Sequence, residues 1–61
     1  MGNWCVYFQP YDRNQTRMDC LNGAQALRLA VAFLSQEQGS VTIVCDNEVC
    51  LVVHTKGLGL L

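Results

Sequence analysis

The side chains most able to carry chemistry in this chain are its four cysteines and its single histidine: Cys5, Cys20, Cys45, Cys50 and His54. Thiolates and imidazoles that converge tetrahedrally bind zinc, and the candidate metal ligands are Cys45, Cys50 and His54. Their spacing is not specific, because the two cysteines flank a predicted hairpin turn instead of a tight knuckle. We therefore rank free thiols first, a Cys45–Cys50 disulfide second and a metal third, since free cysteines commonly behave as small buried hydrophobes.

A disulfide also requires an oxidising compartment. The N-terminal residues show no basic flank followed by an apolar core, so the sequence predicts a cytoplasmic protein in which such bonds rarely persist. The longest apolar run, ALRLAVAFL, is interrupted by Arg28. It is far shorter than the roughly 20 residues of a membrane-spanning helix. We expect no membrane partner.

Catalysis has little support in the sequence. A cysteine nucleophile with His54 as base and Asp19 or Asp46 as orienting group can be drawn, as it can for many chains with these residue types. Nothing in the spacing fixes their geometry, and a single helix on a small sheet offers little interior for a pocket. We predict no enzyme and no cofactor.

Composition favours a protein that hides surface against another chain. The 61 residues are 51% hydrophobic and only 15% charged, against about 25% charged residues in ordinary soluble domains. A single domain of this length is marginally stable and commonly recruits a disulfide, a metal or a partner subunit. The net charge of -1 argues against a general nucleic-acid binder.

Hydrophobic patterning divides the chain into five segments. A strand is predicted at about residues 3–9, a polar loop at 10–21, a helix at about 23–38, a hairpin at about 41–54 and an apolar tail at 57–61. The helix boundaries rest on Asn22 as N-cap, on Gln25 in the capping-box position and on Gly39 as the left-handed residue after the helix.

These segments predict an α+β fold of β-α-β-β order. The helix would be a right-handed crossover between parallel strands, and the final hairpin would complete a three-stranded mixed sheet. With a three-residue loop at 46–48, one face of the hairpin holds Val41, Ile43, Cys45, Val49, Leu51 and Val53. The other face holds Thr42, Val44, Cys50, Val52 and His54.

A two- or four-residue loop would give a different mixture, but no register yields one polar face. One helix covers only one face of a sheet. We therefore expect a homo-oligomer, most simply a two-fold dimer, in which another copy buries the second face. The apolar tail after Lys56 supports this expectation, because it would be exposed unless it docks. The predicted oligomer interface comprises Val44, Val52, Leu58, Leu60 and Leu61.

Binding is the function class that these features favour. The polar loop carries Tyr11, Asp12, Arg13, Arg17 and Asp19, and tyrosine and arginine are enriched in interface hot spots. We expect an inhibitor or adaptor that docks on a protein partner, as very small phage or mobile-element proteins do. One alternative is an oligomer that sequesters a nucleotide-like or other small anion at a subunit interface, with Tyr7 also contributing. A second is a small Cys/His metal-binding module.

Overall fold

The computed structural model describes residues 2–55, which form one antiparallel sheet and one helix. The elements are β1 (Trp4–Pro10), β2 (Thr16–Cys20), α1 (Gly23–Gln36), β3 (Gly39–Cys45) and β4 (Glu48–Thr55). The sheet order is β2-β1-β3-β4, and each neighbouring pair is antiparallel. The α+β class is therefore confirmed at the level of a small sheet with one helix.

The three-stranded mixed sheet was wrong in strand number and direction. The predicted polar loop at 10–21 contains β2, which pairs antiparallel with β1. This segment is polar because it lies at the edge of the sheet, where Arg17 and Asp19 are exposed. The helix is still a crossover, but it joins β2 to β3, and β1 lies between these two parallel strands.

The core lies between α1 and one face of the central strands. It consists of buried residues from β1, α1 and β3: Val6, Phe8, Ala26, Ala30, Val41 and Ile43. The small side chains of Ala26 and Ala30 let the helix approach the sheet, and the Phe8 and Phe33 rings pack with centroids 5.1 Å apart. Val6 and Val41 are the largest fully buried side chains.

The start of the helix was predicted correctly. The Asn22 side chain accepts a hydrogen bond of 2.9 Å from the Gln25 amide. In turn, the Gln25 side-chain oxygen accepts one of 2.8 Å from the Leu21 amide. These bonds satisfy amides that have no partner within the helix.

The end of the helix differs from the prediction, because Gln36 is its last residue and Glu37 is already extended. Gly39 is the first residue of β3, where it pairs with Pro10. With φ at +156°, a Cβ there would meet the carbonyl oxygen of Gln9 and lie 2.9 Å from the Pro10 Cα. The close approach of β1, and not a helix cap, therefore explains this glycine.

The hairpin turn has two residues, Asp46 and Asn47, and a bulge in β4 adds one unpaired residue close to it. Asp46 and Asn47 have φ values of 52° and 67°, as in a type I′ turn. The register shifts by one residue between Ile43 and Val44, so Leu51 and Val53 lie opposite Ile43 and Val41, as predicted for a three-residue loop. Next to the turn, Val44 and Cys45 instead pair with Val49 and Glu48, as in a two-residue loop.

The bulge changes the face of the residues next to the turn. Val49 lies opposite Val44, on the face away from the helix, and Cys50 is the additional residue.

Among the residues described, no helix combines the length and hydropathy needed to cross a membrane.

Candidate functional site

The face of the sheet opposite α1 has no covering element within residues 2–55, and we call it the open face. Strand alternation places on it Cys5, Tyr7, Gln9, Arg17, Asp19, Ser40, Thr42, Val44, Val49, Val52 and His54. Its β1–β2 half carries Arg17 and Asp19, whereas its β3–β4 half holds three valines and no Asp, Glu, Lys or Arg. The two halves therefore suit different contacts.

Arg17 is the centre of the β1–β2 half. Its Nη2 atom lies 3.0 Å from Asp19 Oδ1, and its guanidinium carbon lies 5.9 Å from the centroid of the Tyr7 ring. The Asp19 carboxylate, and then Tyr7, raise the pKa of Arg17. β1 and β2 hold this arrangement, because Arg17 lies directly opposite Tyr7 and Asp19 lies opposite Cys5.

The five predicted partner-binding residues do not form one loop. Arg17 and Asp19 lie on the open face, whereas Tyr11, Asp12 and Arg13 lie at the turn between β1 and β2. This turn is next to the end of the helix, since the Tyr11 amide donates a hydrogen bond of 3.2 Å to the Gln38 carbonyl.

The turn residues form a separate polar cluster. Arg13 contacts Glu37, and its Nε atom lies 3.4 Å from Asp12 Oδ1. A surface depression of about 630 Å³ is lined by Tyr11, Asp12, Gln36, Glu37 and Gln38. The two predicted arginines therefore belong to different surfaces, and each is in contact with a carboxylate.

The β3–β4 half of the open face contains two residues of the predicted oligomer interface. Val44 is half-buried and Val52 is 47% exposed. Their strands neighbour each other in the sheet, so the structure brings them to one surface. Leu58, Leu60 and Leu61 lie outside the described residues.

The predicted metal ligands do not converge. Cys45 and Cys50 lie close to the hairpin turn, whereas His54 lies towards the other end of β4 and on the open face. Within residues 2–55 no group of three His, Cys, Asp or Glu side chains is placed to hold a metal ion. All four cysteines are free thiols.

The thiols lie in different environments. Cys5 is buried, Cys20 and Cys45 are half-buried, and Cys50 is exposed. Burial raises the pKa of Cys45, and the Asp46 carboxylate raises it further, with Cys45 Sγ 3.8 Å from Asp46 Oδ2. Burial is also the main cause of the raised pKa of Cys20. A raised pKa opposes formation of the nucleophilic thiolate.

Sequence reasoning missed two further exposed apolar groups. Leu51 points to the helix side of β4 but is 42% exposed. Leu27 and Val31 on the helix are 51% and 58% exposed. The apolar run ALRLAVAFL was the available signal, but only the structure shows that the sheet does not cover Leu27 and Val31.

Comparisons with protein-family models, with curated proteins and with solved structures give no match to this chain.

Proposed function

We propose that this chain is a non-catalytic binding protein that works as a homo-oligomer and docks on a protein partner, as an inhibitor or an adaptor. The observation that supports this function is the β1–β2 half of the open face, where Arg17 is held between Tyr7 and Asp19. Arginine and tyrosine contribute disproportionately to the binding energy of protein interfaces.

The arrangement is also pre-organised for binding. Arg17 and Tyr7 project from paired strands, and the ion pair to Asp19 and the contact with the Tyr7 ring already restrict the guanidinium. Ordering a long side chain costs roughly 0.5–1.5 kcal/mol on binding. An arginine that is ordered before binding avoids part of this cost.

The geometry gives less support to the anion-sequestering alternative. Arg13 contacts Asp12 and Glu37, and Arg17 contacts Asp19. In each case the carboxylate offsets the positive charge of the guanidinium, which weakens its attraction for a nucleotide-like anion. A protein partner can instead satisfy the remaining donors of Arg17 and pack on Tyr7, so we place it first.

The test is affinity capture with this chain as bait, from a lysate of the cells that naturally produce it. The captured proteins are quantified by mass spectrometry. Arg17→Ala should reduce capture of the partner at least about tenfold, which corresponds to 1.4 kcal/mol. Arg28→Ala is the matched control, because Arg28 is an exposed arginine on the helix. It should retain the partner.

Tyr7→Ala provides an independent variant on the same surface. Undiminished capture by both Arg17→Ala and Tyr7→Ala would show that the open face is not the docking surface. Loss of the partner with Arg28→Ala as well would indicate a general charge effect and would also count against the proposal.

A further inference from the structure

The hydrogen bonds between β1 and β3 show which backbone groups of β4 point to the outer edge of the sheet. At one end of this strand pair the Asp46 amide donates a hydrogen bond of 3.0 Å to the Asn3 carbonyl. At the other end the Tyr11 amide donates one of 3.2 Å to the Gln38 carbonyl. In an antiparallel ladder, the backbone groups of alternate residues point to the same neighbour. Even-numbered residues of β3 therefore bond to β1, and odd-numbered ones bond to β4.

The same alternation continues into β4. Ile43 and Val41 bond to Leu51 and Val53. The N–H and C=O groups of Val52 and His54 therefore point away from β3, to the free edge. Within residues 2–55 these groups have no strand partner, so they form a row that can accept another strand.

The two edges of the sheet are protected differently. β2 has five residues, and Arg17 and Asp19 place charges along it. β4 has eight residues, and the sequence has no Asp, Glu, Lys or Arg between Glu48 and Lys56. Charges and short length discourage edge pairing, so β2 is the protected edge and β4 is the receptive one.

β4 is also poorly covered on both faces. Leu51 on the helix side and Val52 on the open side are 42% and 47% exposed. The helix packs mainly on β1 and β3. A strand added beside β4 would therefore remove apolar surface from water on both faces as well as pair the backbone.

The helix contributes to the same region. In a right-handed β2–α1–β3 crossover, the residue that follows each core-facing alanine points towards β4. Ala26 and Ala30 face the core, so these residues are Leu27 and Val31. Their exposed side chains lie on the side of the helix that faces β4.

We infer that the occupant is β4 of a second copy of this chain, paired antiparallel so that two sheets become one. The regular part of β4 after the bulge is Leu51 to Thr55. A two-fold axis at its centre places Val53 opposite Val53 of the second copy. Val52 and His54 then bond to each other in both directions, and no like charges meet. This inference rests on the homo-oligomer of the proposed function and gives it an interface.

The first test is the molar mass in solution, measured by light scattering after size exclusion, with circular dichroism to verify folding. The wild-type chain should have the mass of a dimer. Leu51→Lys and Val52→Lys should both shift it to a monomer, because they place charges beside the paired backbone on opposite faces. Met18→Lys is the matched control: Met18 is 45% exposed on the other edge strand, and its variant should remain a dimer.

The pair of lysine variants separates edge pairing from stacking through the open face. If Val52→Lys is a monomer but Leu51→Lys is a dimer, the copies stack face to face. Edge pairing is then wrong, while the homo-oligomer stands. A monomeric wild-type chain would overturn both the edge pairing and the homo-oligomer, and capture through Arg17 would still be tested separately.

Cross-linking tests the register. In a Cys50→Ser background, which removes the exposed native thiol, Val53→Cys should form a disulfide-linked dimer under mild oxidation. Opposed residues that do not exchange hydrogen bonds have Cα atoms about 4.5 Å apart, within the range that disulfides accept. Met18→Cys in the same background should not cross-link. A dimer that fails to cross-link at position 53 would overturn this pairing.

Discussion

At the scale of single residues, side chains of the same type lie in different surroundings. Arg17 lies over the Tyr7 ring on the open face, whereas Arg13 contacts Glu37 at the end of the helix. The cysteines differ as much, since Cys5 is buried and Cys50 is exposed. Their reactivities should differ accordingly.

The thiols provide the residue-scale prediction. With iodoacetamide near pH 8, Cys50 should react first and Cys5 last, as measured by peptide mass spectrometry over time. The raised pKa of Cys45 keeps its thiolate fraction low, so its rate should continue to rise as the pH increases beyond the usual range for a thiol. Asp46→Asn removes one cause of that shift and should accelerate the reaction at Cys45.

Cys20 is the internal control, because burial is the first cause of its raised pKa and Asp46 is not among the causes. Asp46→Asn should leave its rate unchanged. Equal acceleration at both thiols would mean that the variant loosens the fold and would contradict the electrostatic explanation.

At the scale of elements, the turn and the bulge together set the faces of the hairpin. Asp46 and Asn47 both have positive φ, a conformation that costs most L-residues about 1–2 kcal/mol. Asn and Asp tolerate it because their short polar side chains bond locally. The bulge then restores the alternation that places Leu51 and Val53 on the helix side.

This geometry predicts the effect of substitutions in the turn. Asn47→Val should lower the free energy of unfolding by about 1–2 kcal/mol, because a β-branched residue is strained at positive φ. Asn47→Gly should be at least as stable as the wild-type chain. The measurement is urea denaturation at equal protein concentration.

Asn14→Val is the control, because Asn14 is exposed in the β1–β2 connection and does not have positive φ. It should change stability by less than about 0.5 kcal/mol. If Asn47→Val is no more costly than Asn14→Val, the turn is not of this type.

Elements with strong local signals were predictable from the sequence. The capping residues Asn22 and Gln25 defined the start of the helix, and Asp46-Asn47 marked the turn. β2 was not predictable in this way, because an edge strand tolerates Arg17 and Asp19 and therefore resembles a loop. Gly39 was misread because its reason is a contact with β1 that is distant in sequence.

At the scale of the whole molecule, strands from distant parts of the sequence form the centre of the sheet. β1 and β3 are the two inner strands, and β2 and β4 form the edges. Sequence alone could not order them, since the patterns of β1 and β3 fit both a parallel and an antiparallel pair. The candidate site could not be predicted for the same reason, because Tyr7 lies beside Arg17 only when β1 pairs with β2.

Amide hydrogen exchange should reproduce this order. The amides of Tyr7 and Thr42 lie in the ladder between β1 and β3 and should exchange slowest. The Arg17 amide points to the free edge of β2 and should exchange fast. The Val52 and His54 amides should exchange fast in dilute solution and should be protected in the proposed dimer.

Two-dimensional NMR at two protein concentrations measures these rates residue by residue. An Arg17 amide as protected as that of Tyr7 would contradict the strand order. Protection of the Val52 amide in the monomeric Leu51→Lys variant would contradict its outward orientation.

The central position of β1 and β3 also determines how the chain reaches its native state. The hairpins β1–β2 and β3–β4 join neighbouring segments and can form within microseconds. Joining β1 to β3 closes a long loop, and such non-local pairing slows folding. During synthesis β1 is made first but lacks its inner neighbour until β3 has left the ribosome. The apolar side chains of the first hairpin therefore remain open to other contacts for that interval, and the nascent chain is most prone to misassembly then.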